Sequence, residues 1–206
     1  MKDTPALLAS IVAPPRCGAC GGPCAWSACL CERCEAEIAA AHPVEPRLAP
    51  LDAAWCAATY EGAARQLVAA LKFRRLLPLA RRAAEAIAAR APQGTLAGSV
   101  VPVPPAPLRL RLRGHDPAEE IAFALASVAE LRFEPRLARA NGPRQVGRPR
   151  AARLADPPVV RLARRAPRAV VLVDDVITTG ATLSACARTL RRGGTERVVA
   201  VTFARA

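Results

Sequence analysis

Residues 170–183 constrain this chain more than any other stretch. Val170-Val171-Leu172-Val173 places four apolar residues in a row, the pattern of a strand buried on both faces of a parallel sheet. Two adjacent carboxylates, Asp174 and Asp175, follow at the C-terminal end of the run. Thr178, Thr179, Gly180 and Thr182 then form a short loop before an Ala/Leu-rich stretch that reads as a helix. In open α/β sheets, ligands bind outside the carboxyl ends of the strands. A loop feeding a helix N-terminus offers unpaired N–H groups and the positive end of the helix dipole, which suit a phosphate. Gly180 lets the backbone come close to a ligand, and the threonines add hydroxyl donors. A carboxylate pair suits another part of the same ligand. It accepts hydrogen bonds from vicinal hydroxyls and can hold Mg²⁺ directly or through water. Together, acid pair and cradle describe a site for a phosphorylated ribose. The competing reading is an ordinary strand–turn–helix with Asp and Thr as caps.

The 206 residues fit one α/β domain with a small appendage. Aromatic residues are scarce, which argues against ring stacking as the basis of any nucleic-acid contact. No apolar run approaches a membrane span. The N-terminus, Met1-Lys2-Asp3-Thr4-Pro5, lacks a basic region before an apolar stretch, and residues 7–12 are too few for a signal-peptide core. A cytoplasmic protein without membrane insertion is the expectation. The net charge of +13 raises the encounter rate with polyanions and with phosphate-bearing small molecules, and does not distinguish the two. Arg dominates over Lys, which favours bidentate phosphate contacts.

Cys17-x-x-Cys20 and Cys31-x-x-Cys34 make two knuckles. Each Cys-x-x-Cys turn can point two thiolates at one metal, and two turns complete a tetrahedral S₄ site. With a cytoplasmic setting this reads as zinc rather than as disulfides. Four protein ligands leave no open position, so the zinc is expected to be structural. Cys24 and Cys29 lie between the knuckles and read as spare thiols, although either could replace a neighbour, Cys29-x-Cys31 being the main ambiguity. Cys56 and Cys186 read as buried small apolar residues. His42 and His115 are isolated, His42 being a remote metal-ligand candidate.

Pro43, Pro46 and Pro50 mark a linker over residues 41–51, separating a zinc ribbon at 1–40 from a domain at 52–206. Residues 52–60 read as a strand, 62–72 as a helix closed by cations in its last turn, and Pro78 as the start of a helix to about residue 90. Val100 to Val103 reads as a central strand ending at prolines. Residues 108–114 read as a loop carrying Arg109, Arg111 and Arg113, followed by a helix over 117–131. Residues 141–156 are rich in Arg, Pro and Gly with few apolar anchors, and are expected to be mobile. Core strands at 169–173 and 198–201 flank a helix over 182–192 that ends at Gly193-Gly194.

The strand, acid pair and Thr-Thr-Gly-x-Thr loop resemble the signature of the type I phosphoribosyltransferases. Taken in order, the two knuckles, Leu71-Lys72-Phe73, Val101-Pro102-Val103-Pro104, Arg113-Gly114, Gln145 with Arg153, and the loop from Asp174 to Thr182 resemble the ComF-type family of competence-associated phosphoribosyltransferase-like proteins. That resemblance implies an α/β type I phosphoribosyltransferase fold, a mainly parallel sheet flanked by helices, with a small N-terminal zinc ribbon. It implies that Asp174 and Asp175 hold the ribose hydroxyls, and that Val176, Ile177, Thr178, Thr179, Gly180, Ala181 and Thr182 wrap the 5-phosphate. Arg109, Arg111 and Arg113 would bind pyrophosphate, and residues 141–156 would close as a lid, with Arg153 and also Arg144, Arg148 and Arg150 supplying charge.

Two departures stand out. Arg113-Gly114-His115-Asp116-Pro117 replaces the family's Arg-Gly-Phe-Asn-Gln, and Asp156 stands where Asn commonly follows the lid arginine. Each puts an acid for an amide near a pyrophosphate site, which weakens binding unless Arg or Mg²⁺ compensates. The resemblance carries two functional expectations. One is an enzyme that binds 5-phosphoribosyl 1-pyrophosphate with Mg²⁺, or a nucleotide, and moves the phosphoribosyl group to or from a base. The other is an accessory factor for DNA uptake that binds single-stranded DNA or a competence helicase.

Overall fold

The apolar runs assemble into one parallel sheet. The computed structural model describes residues 14–139 and 159–206. Its elements run α1 (Glu32–Ala40), β1 (Ala53–Thr59), α2 (Gly62–Arg74), α3 (Pro78–Arg90), β2 (Ser99–Pro102), α4 (Pro107–Arg113), α5 (Pro117–Val128), β3 (Leu137–Arg139), β4 (Val160–Leu162), β5 (Ala169–Ile177), α6 (Ala181–Arg192) and β6 (Arg197–Arg205). The main sheet has the order β1-β6-β5-β2, with every pairing parallel, and β3 and β4 form a separate antiparallel pair. The protein is thus an α/β structure with a four-stranded parallel sheet flanked by helices.

Strand alternation divides the core. Val171, Val173, Val199 and Val201 join α2, α3 and α5 on one face, where Leu67, Leu71, Leu79, Ile87, Ile121 and Leu125 are fully buried. Val170, Leu172, Val198 and Ala200 meet Leu183, Cys186 and Leu190 of α6 on the other. Parallel strands buried on both faces need such unbroken apolar runs. Truncating a side chain here, as in Leu172→Ala, costs about 2–5 kcal/mol. Cys56 and Cys186 are both fully buried, as small apolar residues are expected to be.

This layout creates a crevice. The chain leaving β2 turns towards α5 on one face, and the chain leaving β5 enters α6 on the other. Adjacent strands whose connections part in this way open a cleft at their carboxyl ends.

Several elements differ from the sequence expectation. The stretch read as a loop over 108–114 is the helix α4, Pro107–Arg113, capped by Gly114: Pro107 supplies the first helical φ and Gly114, at φ 72°, ends the turn. No residue of α4 is buried. β2 is one of the two edge strands of the named sheet rather than a central one, with a single bridge from Val100 to Phe133 on its outer side. β5 continues through the acid pair to Ile177, so the acids lie inside the strand rather than at its end. Residues 41–51 are docked against the sheet: Val44 exchanges backbone hydrogen bonds with Cys56 at 3.0 and 2.8 Å, and Leu48 and Leu51 pack on the α6 face. The segment read as a lid, with Arg144, Gln145, Arg148, Arg150, Arg153 and Asp156, lies outside the described residues.

The N-terminal knuckles share a core with the sheet. Cys17, Leu30, Cys34 and Ile38 belong to the same buried cluster as Leu79, Ala83 and Ile87 of α3. Among the described residues no helix is long and apolar enough to cross a membrane.

Candidate functional site

Two polar sites emerge. At the N-terminus, the sulfurs of Cys17, Cys20, Cys31 and Cys34 all lie within 4.8 Å of one another. A tetrahedral ZnS₄ centre with Zn–S bonds near 2.3 Å has sulfur–sulfur edges of about 3.8 Å. Cys20 Sγ and Cys31 Sγ are 3.8 Å apart. Four thiol donors at this spacing could hold a metal ion such as zinc. The backbone assists: Gly22 N–H points to Cys20 Sγ at 3.4 Å and, more than any other group, pulls that thiol down to about 6. Burial pushes the Cys34 thiol up, the opposite direction for a neighbour in the same cluster. A bound cation would hold all four as thiolates. Cys24 and Cys29 stand outside the cluster, and burial raises both thiols.

The second site is a cleft of about 590 Å³ at the carboxyl ends of β2 and β5. β2 ends at Pro102, whose partner is Val173, and the last rung is Val103 N–H donating to the Val173 carbonyl at 2.9 Å. Asp174 is therefore the first β5 residue without a β2 neighbour, and both acids line the cleft. Successive strand residues point to opposite faces. Asp175 meets Lys72 of α2, Nζ to Oδ2 2.9 Å, in an ion pair whose side chains are 20% and 11% exposed. Asp174 turns the other way, and its Oδ1 accepts from the Asp175 backbone N–H at 2.8 Å. Desolvation, then the neighbouring Asp175 charge, holds the Asp174 carboxyl well above the usual carboxylate range.

The loop after β5 forms a hollow of about 40 Å³ lined by Asp174 and the run from Val176 to Leu183. One buried water needs roughly 10–15 Å³ on such a measure, so the hollow has room for only a few atoms. Gly180 sits at φ 75° as the N-cap of α6. Leu48 lies 2.5 Å from where a Cβ on Gly180 would be, so it is this side chain from the 41–51 segment that makes the close approach to the glycine. The N–H groups of the first α6 turn lack helical partners and carry the dipole's positive end.

Arginines line the opposite wall. On a helix, residues four apart share a face. Arg109 and Arg113 accordingly both line the cleft, whereas Arg111 is exposed and does not. The Arg113 guanidinium also lies over the Phe73 ring, 5.0 Å from its centroid. Arg153 lies outside the described residues.

Four cleft residues escaped the sequence reading as site residues. Lys72, read as a helix-closing cation, pairs with Asp175. Arg139 at the end of β3 lines the cleft, its Nε donating to the Pro104 carbonyl at 3.1 Å. Only the β3–β4 ribbon brings it there, and no local motif marks it. His115 is 7% exposed, with Nε2 2.6 Å from the Leu71 carbonyl and Nδ1 3.0 Å from the Arg113 carbonyl. It fastens the end of α4 to the end of α2. Asp116 precedes α5, and its Oδ2 is buried without a hydrogen-bond partner. Desolvation, then the charge of Asp175, pushes Asp116 up to about 7. Its replacement of an amide was the available signal.

Among the described residues, the cysteine set is the one group of His, Cys, Asp or Glu donors close enough together to hold a metal ion. A scan against protein-family models and a search of curated proteins find no match to this chain.

Proposed function

We propose that the cleft binds a ribose 5-phosphate moiety and that the protein is a phosphoribosyltransferase-like protein of the ComF type, acting on 5-phosphoribosyl 1-pyrophosphate or a nucleotide. One observation carries this reading. The acid pair, the Thr/Gly hollow and the arginine wall, drawn from β5, the α6 N-terminus, α4 and β3, line one crevice where the connections of β2 and β5 part. The hollow would take the 5-phosphate on backbone N–H groups and on the hydroxyls of Thr178, Thr179 and Thr182. Asp174 and Asp175 would accept from the ribose diol, with Lys72 paired to Asp175 at 2.9 Å and holding its side chain in place. Arg109, Arg113 and Arg139 would meet the anionic group on the anomeric carbon. Mg²⁺ would arrive on the pyrophosphate rather than in a pre-built carboxylate cage.

In the transfer, the bond from the anomeric carbon to pyrophosphate would break, pyrophosphate leaving with the bonding pair, as a base nitrogen bonds to that carbon and gives up its proton to water. The arginines would stabilise the departing charge, and the acids would orient an oxocarbenium-like ribose. The cysteine cluster would hold zinc in a structural role.

Calorimetry with ribose 5-phosphate and with 5-phosphoribosyl 1-pyrophosphate plus Mg²⁺ tests the reading, alongside an assay for pyrophosphate release across candidate bases. Saturable binding lost in a Thr179/Thr182 double alanine variant supports the cradle. Binding that survives it, or none at millimolar ligand, overturns the site.

A second reading rests on α4, where Leu108 and Leu112 are 68% and 78% exposed beside the outward Arg111. That face suits a macromolecular partner such as single-stranded DNA or a helicase. Steep loss of DNA binding with salt would indicate many phosphate contacts and favour it.

A further inference from the structure

Helix α2 is gripped at both ends by the metal-site segment. At its start, Glu37 of α1 accepts the Ala63 N–H on Oε1 at 2.7 Å. Gly62 leaves room for this contact, since a Cβ there would lie 1.7 Å from Glu37 Oε1. At its end, Arg74 donates from Nη2 to the carbonyls of Gly18 and Ala19, the latter at 3.1 Å. Those two carbonyls belong to the Cys17–Cys20 knuckle itself. Backbone hydrogen bonds shape it, Cys17 N–H to the Gly22 carbonyl at 2.8 Å and Gly21 N–H to the Cys17 carbonyl at 2.9 Å, and an ion shared by its two sulfurs would brace it further.

The last turn of α2 also builds the cleft. A helix leaves its last four carbonyls without helical partners. One of them, that of Leu71, meets His115 Nε2, which ties it to Arg113 and the arginine wall. The next residue, Lys72, pairs with Asp175. Arg74 is two residues further on. Polar contacts thus join the knuckle to Arg74 and Lys72 to Asp175, and the backbone of the last α2 turn links the two.

We propose that metal occupancy of the cysteine cluster sets the cleft's affinity for sugar phosphates, with Arg74 as the positioning residue that transmits it through the last turn of α2. This inference rests on the cleft reading given above for its ligand, and on geometry alone for its route. An occupied knuckle fixes the Gly18 and Ala19 carbonyls. Arg74 then clamps the turn, Lys72 stays on Asp175, and the acid remains aligned. An empty knuckle loosens the Arg74 clamp, and the Lys72–Asp175 pair loses its alignment.

The test uses the 206-residue chain, zinc-loaded or chelated, as wild type and as Arg74→Met, which leaves all four thiols in place. Ribose 5-phosphate affinity is measured by calorimetry, and amide exchange is followed over residues 70–77 and 113–118. Circular dichroism checks that each form is folded. The expected result is a loss of affinity of roughly fivefold or more on chelation. A similar loss is expected in zinc-loaded Arg74→Met, and little further loss when that variant is chelated. Faster exchange in both segments accompanies each loss. Wild-type affinity in zinc-loaded Arg74→Met, or fully additive losses, would overturn the route through Arg74. If ribose 5-phosphate fails to bind even the loaded wild type, the cleft reading falls, and exchange alone decides the coupling. Unchanged exchange at 70–77 in both altered forms then overturns it.

Discussion

The cysteine cluster and the cleft are built on opposite plans. The cluster draws its four sulfurs from one short stretch, Cys17 to Cys34, with donors of one kind and a spacing that forces them together. The cleft draws Lys72 from α2, Arg109 and Arg113 from α4, Asp116 from the entry to α5, Arg139 from β3 and its acids from β5. Local covalent spacing brings the first set within reach of one another. The second exists only once the sheet order has formed and the connections of β2 and β5 have parted to opposite faces. The difference teaches where each site is vulnerable: the cluster to loss of one donor, the cleft to loss of the scaffold that aims donors from distant parts of the chain.

The largest effect should come from breaking the cluster. In Cys20→Ser, bound zinc measured by emission spectrometry should fall from about one per chain to near zero. Structural zinc contributes on the order of 10 kcal/mol in small metal-dependent units. Because Cys17 and Cys34 share the core with α3, the melting transition of the whole protein should drop, not that of a detached ribbon. A variant with full zinc content would break the four-ligand assignment.

The next effect concerns the acids. Hydrogen bonds contribute about 1 kcal/mol net each, and about 1.5–3 kcal/mol where one partner is charged. Asp174→Ala with Asp175→Ala should therefore weaken ribose 5-phosphate binding by on the order of 100-fold or more, while circular dichroism stays native. Unchanged affinity by calorimetry would remove the diol assignment.

How much of this was legible in the sequence follows the same division. The knuckles, the acid pair and the Thr/Gly loop were legible because each is a local pattern. So were α2, α3, α6 and β1, whose apolar periods are strong. The arginine wall was legible in composition but not in geometry. Residues 108–113 alternate Leu and Arg, which masks a helix, and only Pro107 and Gly114 announce one. The helix then decides that Arg109 and Arg113 face the cleft and Arg111 does not. Lys72 with Asp175, and Arg139 with the Pro104 carbonyl, join residues far apart in the chain, so no window along the sequence contains both partners.

Asp116 sharpens the comparison through pH. Its folded value, about 7, lies above the unfolded carboxylate value of about 3.9. Ionising it in the folded protein therefore costs free energy. That cost is absent below about pH 4, grows between 4 and 7, and is complete above 7. The wild type should lose stability through this window relative to Asp116→Asn, with a slope of at most about 1.4 kcal/mol per pH unit. Urea denaturation of both proteins at pH 5, 6, 7 and 8 measures the difference. Parallel stability profiles would mean that Asp116 is not desolvated as the cleft geometry implies.

The smallest effect belongs to the two cysteines between the knuckles, and it bears most directly on how spacing specifies a metal site. Cys29 lies one residue from Cys31, so spacing alone leaves the two interchangeable. The fold separates them. The Cys29 carbonyl accepts from Gly18 N–H at 2.8 Å, which fixes its backbone beside the first knuckle while its thiol stays outside the sulfur cluster. Cys24 is occupied elsewhere, its Sγ donating to the Ala28 carbonyl at 3.3 Å. Cys24→Ser and Cys29→Ser should each retain one zinc per chain, with stability within about 0.5 kcal/mol of wild type. Loss of zinc from either would place that sulfur in the ligand set. It would also show that, here too, the chain's three-dimensional path, not the knuckle spacing, chooses the donors.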